Sequence, residues 1–187
     1  SLTVLAGIQG QGKTFTATWL MSQFSKGGYL PDSFNMPLHR GNSLILTTED
    51  GVADTLKARF NTMGADQSKI FAFDMETVFS GGLPNLERDV ETLEDFIVEH
   101  DIKLLILDPL TGLVGGSDDN SNTKMRNHLG PLVSMIQRQE LACIGILHMN
   151  KDTNQRNPLQ KIMGSTALAA LPRSVLAVIQ DPDDQER

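Results

Sequence analysis

The sequence predicts an α/β domain, a mostly parallel central sheet with helices on both faces, and three observations carry that expectation. Short apolar runs alternate with stretches of helical periodicity along the whole chain. Three of those runs stop at a polar residue (Glu49, Asp108 or His148), as strands do where an open α/β sheet gathers its ligand chemistry. No internal repeat, low-complexity tract or composition break divides the 187 residues. One domain over 1–187 is therefore expected, an excised or processed piece because a strand pattern begins at Leu2 without an initiator methionine.

Leu2 to Ala6 reads as a buried strand, followed by a glycine-rich turn and a helix from about Thr14 to Ser25 with Ala17, Leu20, Met21 and Phe24 at helical spacing. Residues 26–42, with three glycines and two prolines, read as a long loop. Ser43 to Thr48 is a second strand, and Val52, Leu56, Phe60 and Met63 mark one face of a helix that Gly64 stops. Ile70 to Phe73 is a short strand, and Gly81 to Pro84 a turn. Leu86, Val90, Leu93 and Ile97 give the next helix an apolar stripe, its other faces acidic and solvated. Leu104 to Leu107 is a strand, and Ser117 to Asn122 a polar connection. Met125, Leu129, Leu132, Val133 and Ile136 define a helix that must absorb Pro131, with a bend. Ala142 to Leu147 and Ser174 to Ile179 complete the strands. Trp19, Tyr29 and Cys143 read as packing residues.

Composition narrows the function. At 40% hydrophobic and 21% charged, the chain is neither disordered nor collagen-like. It has no membrane-spanning run and no signal-peptide pattern. A single cysteine rules out an internal disulfide, and a reducing cytoplasm is the simplest home. The net charge of −7 argues against coating nucleic acid through bulk charge. That charge is segregated, however. Seven acids and one arginine fall between Glu87 and Asp101, four acids and one arginine between Asp181 and Arg187, and the remainder is net +2.

Gly7-Ile8-Gln9-Gly10-Gln11-Gly12-Lys13-Thr14 matches G-x-x-x-x-G-K-[ST] at every fixed position, between a strand and a helix. Such a loop curls its N–H groups toward phosphates, and the helix dipole favours the negative charge. The expected nucleotide-binding run is Gln9, Gly10, Gln11, Gly12, Lys13, Thr14 and Phe15, with Lys13 on the β- and γ-phosphates and Thr14 on Mg²⁺. Asp108, at the end of Leu104 to Leu107, is the expected second holder of the metal. Pro109 follows it, so a general base must come from elsewhere. Glu49 is the first choice, at its own strand end, with Asp50 the near competitor or else the N-cap of the next helix. His148 is placed to sense the γ-phosphate.

The ordered set GIQGQGKT, LTTED before a helix, LLILDPLTGLVGG, SDDNSN, ILHMNK and GSTALAALPRSVLAV leading into DPDD resembles the RecA-fold ATPases. Within them it is similar to the AAA-type domains of the plasmid replication helicase RepA kind, over nearly the whole chain. The resemblance implies Mg²⁺-dependent ATP hydrolysis coupled to movement on single-stranded DNA, in a hexameric ring with ATP between subunits. It implies Glu49 as base, Asp108 as Walker B acid and His148 as phosphate sensor, with Lys13 in the phosphate loop. Arg173 is the candidate trans-acting arginine. The loop 149–163 is net +2 through Lys151, Arg156 and Lys161 against Asp152 and rich in Asn and Gln, suiting it to phosphate contacts on DNA without base stacking. The alternative expectation is a nucleotide-gated switch or loader with little turnover.

Overall fold

The computed structural model describes residues 1–31, 33–49, 51–75, 86–113, 122–149 and 171–181. Asp50, the Gly81 to Pro84 turn, nearly all of the Ser117 to Asn122 connection, and Lys151, Arg156 and Lys161 lie outside them.

All six expected strands are present: β1 (Leu2–Gly7), β2 (Asn42–Thr47), β3 (Ile70–Asp74), β4 (Ile102–Asp108), β5 (Ala142–His148) and β6 (Ser174–Val178). They form one sheet in the order β3-β2-β4-β5-β1-β6, every pairing parallel. Parallel neighbours need crossovers, and from β1 to β5 helices supply them. These are α1 (Lys13–Lys26), α2 (Lys57–Thr62), α3 (Leu86–Glu99) and α4 (Asn122–Arg138), which carries Pro131 within it.

Because successive strand side chains point to opposite faces, each apolar strand feeds two cores. Leu44, Leu46, Leu105, Leu107, Cys143 and Leu147 pack with Leu93 and Ile97 of α3 and Leu129, Leu132, Met135 and Ile136 of α4. Leu5, Ile45, Leu104, Ile106 and Ile146 pack on the other face with Ala17 and Met21 of α1, Phe60 of α2 and Leu56 just before it. A register shift, Asn42 opposite Ile102 but Ser43 opposite Leu104, inserts Lys103 as a bulge. It puts Ile102 with the α3/α4 core although Leu104 and Ile106 lie on the other side. On β3, Phe71 and Phe73 meet Phe96 of α3 edge-on at 5.5 and 5.4 Å.

Three expectations need correction. The helix after Asp50 is not uniform: Val52–Leu56 is a π-helical turn, closed by Leu56 N–H donating to the Gly51 carbonyl, and α2 follows. The wider turn leaves both Leu56 and Phe60 buried. Tyr29 is not a packing residue; it is 55% exposed in the loop before β2. The acidic helix is not solvated at every carboxylate, since Asp89 is buried. Cys143 does lie in the core, where burial pushes its thiol up to about 12. Among the described residues no helix is long and apolar enough to cross a membrane.

Candidate nucleotide site

The turn between β1 and α1 depends on glycine. Gly10 and Gly12 have φ of 87° and 79°, the left-handed region that side chains with a Cβ avoid. Gly7 is needed for a different reason, because a Cβ there would sit 2.6 Å from the Val178 carbonyl oxygen of β6. The loop is braced from within by Ile8 N–H donating to Gln11 Oε1 at 3.2 Å. Lys13 folds over it, its Nζ donating to the Ile8 carbonyl at 2.8 Å. The Lys13 side chain is 3% exposed, and burial lowers its pKa from the ordinary lysine value against the opposing pull of Glu49 and Asp108.

Strand parity brings the polar residues to the same place. Leu104 and Ile106 face α1, so Asp108 does too; Ile144 and Ile146 do the same for His148. Gly7 is in register with His148, and Thr47 with Asp108, so the strand ends are level. Asp108 is fully buried, and Thr14 Oγ1 donates to its Oδ2 at 2.6 Å across 94 residues of sequence. Glu49 follows β2, its N–H donating to Thr47 Oγ1. Its Oε1 lies 2.8 Å from His148 Nε2, in a geometry that does not complete a hydrogen bond. Donor atoms of Glu49, Asp108 and His148 all fall within 4.8 Å of one another.

Beside them lies a cavity of ≈ 290 Å³ lined by Gln9, Gly10, Gly12, Lys13, Thr14, Phe15, Glu49, Arg59 and His148. Sequence reasoning missed Arg59, which α2 brings to the cleft. The available signal was an arginine one residue before the buried Phe60, on a helix that starts beside the Glu49 strand end. Arg173 is not brought to this cleft. Its N–H donates to the Leu2 carbonyl at the opposite edge of the sheet, where it lines a separate cavity with Ser1, Val133 and Glu140.

The donor set fits Mg²⁺. A buried carboxylate and a hydroxyl already in contact beside a phosphate-type loop offer the hard oxygen ligands that the ion takes, and room for a nucleotide's phosphates adjoins them.

No curated protein sequence matches the chain. Its fold is similar to a solved KaiC-like protein from the hyperthermophilic archaeon Pyrococcus horikoshii OT3, at 15% identity and a TM-score of 0.64, over 95% of this chain and 70% of that one. The parallel sheet and that likeness make the fold RecA-like. A family model described as an AAA domain matches residues 1–154, and the chain belongs to that family of P-loop ATPase domains.

Proposed function

We propose that this domain hydrolyses ATP with Mg²⁺ and couples hydrolysis to binding or movement on single-stranded DNA, as a helicase-type motor of the RepA kind working in a homohexameric ring. The observation that carries the hydrolytic part is the joining of Thr14 to Asp108 at the phosphate loop, with Glu49 and His148 at neighbouring strand ends.

In this reading the N–H groups of Gln9 to Thr14 and the Lys13 ammonium hold the β- and γ-phosphates. Thr14 and Asp108 would hold Mg²⁺, which when bound offsets charge on the phosphate oxygens. Glu49 orients a water whose oxygen attacks the γ-phosphorus and accepts its proton, while the bond to the ADP oxygen breaks. His148 contacts the γ-phosphate, and Met149, whose N–H donates to the Gly7 carbonyl, ties the phosphate loop to the start of the 149–163 segment. Lys151, Arg156 and Lys161 of that segment meet DNA phosphates. Arg173, remote from its own cleft, is free to serve a neighbour's.

The test is ATPase activity against protein concentration, with and without single-stranded DNA, alongside the mass of the assembly. Turnover should rise with assembly and with DNA, and Lys13→Ala should abolish it. An assembled protein that no nucleic acid stimulates overturns the motor reading. The contact of Glu49 with His148, which occupies the base, favours a second reading: a nucleotide-gated switch. Tight binding with negligible hydrolysis at every concentration would support it.

A further inference from the structure

We propose that Glu49, Asp108 and His148 form a site for a divalent transition-metal ion of the zinc class, filled when nucleotide is absent and distinct from the Mg²⁺ that accompanies ATP. The three side chains come from the ends of three adjacent strands, so the parallel register rather than any local motif assembles them. Their donor atoms lie within 4.8 Å of one another. Ligand atoms around one ion with bonds of roughly 2 Å stand roughly 3.3 Å apart, a spacing side-chain rotation can reach.

Two further features point to a shared partner. His148 Nε2 and Glu49 Oε1 touch at 2.8 Å without completing a hydrogen bond. Both ring nitrogens are shielded from solvent and have no hydrogen-bond partner among the described residues. A buried imidazole nitrogen beside a carboxylate oxygen, yet without a hydrogen bond of its own, is arranged for a third atom between them. Asp108, fully buried, adds the second carboxylate, and the competing cation, Lys13, has its ammonium directed to the Ile8 carbonyl.

The donor chemistry selects the metal. Mg²⁺ takes oxygen ligands and keeps its waters, whereas one imidazole with two carboxylates suits Zn²⁺, Co²⁺ or Mn²⁺. An ion held this way ties up Glu49 and His148, so it and Mg²⁺-ATP exclude each other. That consequence rests on the nucleotide reading above; the binding itself does not.

Calorimetric and visible-absorption titration of the nucleotide-free protein with Co²⁺ tests the site without any turnover. One equivalent should bind and be displaced by Zn²⁺, and millimolar Mg²⁺ alone should not displace it. His148→Ala and Glu49→Gln, both at partly exposed positions, should each weaken it at least about tenfold. Cys143→Ser, which removes the chain's thiol, should leave it unchanged, and circular dichroism checks that each variant is folded. No stoichiometric uptake, or uptake that survives His148→Ala in a folded variant, overturns the proposal. Uptake with this mutational pattern in a protein that never hydrolyses ATP supports the site and overturns only the hydrolytic reading. Turnover without uptake does the reverse.

Discussion

The face of the sheet under α3 and α4 and the face under α1 and α2 are built from the same strands but carry different loads. Among the described residues the first buries a cluster of twenty apolar residues, from Leu2 through Leu147. The second buries nine, and at its C-terminal edge the apolar series on β4 and β5 gives way to Asp108 and His148. Stability is thus concentrated on one face and chemistry at the rim of the other. Consecutive residues of a strand belong to opposite faces, so neighbours in sequence can be tested against each other.

Leu107 and Asp108 are the most direct pair, both fully buried. Asp108→Asn keeps the shape and removes the charge; ATP turnover should fall at least about 100-fold, with the unfolding temperature little changed. Parallel melting and turnover measurements decide it, and a variant that loses both together would dissolve the contrast. Leu107→Ala should do the opposite, costing about 2–5 kcal/mol in urea unfolding while turnover per folded molecule persists. The Cys143 thiol on that same face, inert at about 12, should become more reactive as the face loosens.

Gly145→Ala should have a smaller effect. Its added methyl would stand 2.9–3.2 Å from the Leu110 side chain, in the 3₁₀ turn Leu110–Leu113 that packs under β5, and should cost about 1–3 kcal/mol. Thermal unfolding measures it, and an unchanged melting temperature would mean that Leu110 gives way freely. The smallest effect belongs to the rim of the apolar face. Hydrogen bonds from Arg138 and then Gln139 hold Glu94 below the ordinary 4.5. A carboxylate lowered in the folded state contributes stability above its unfolded pKa, and loses it as pH falls through the folded one. Glu94→Gln should slightly lower the urea midpoint at pH 7 and converge with wild type in acid; parallel curves at both pH values would refute the linkage.

The strands and the two-faced core were legible because apolar runs of strand length can be buried on both sides only in a sheet covered by helices. The phosphate loop was legible because it is contiguous, its glycines, lysine and threonine adjacent in sequence. Legibility failed where the cause was distant or irregular. The bulge at Lys103 changes which face Ile102 meets, and no periodicity announces it. The π-turn before α2 lies in a stretch whose apolar spacing, Val52, Leu56 and Phe60, reads as ordinary helix.

By itself, then, the sequence determined an alternating α/β chain, a phosphate loop whose chemistry is written in eight consecutive residues, and polar residues ending the neighbouring strands. Only the tertiary structure decided how those ends meet. Thr14 donates to Asp108 across 94 residues, Glu49 touches His148, Arg59 lines the same cleft, and Arg173 stands at the far edge. The physical reason is that parallel register and strand order, set by the packing of two opposed cores, place groups side by side whose separation along the chain carries no local signal.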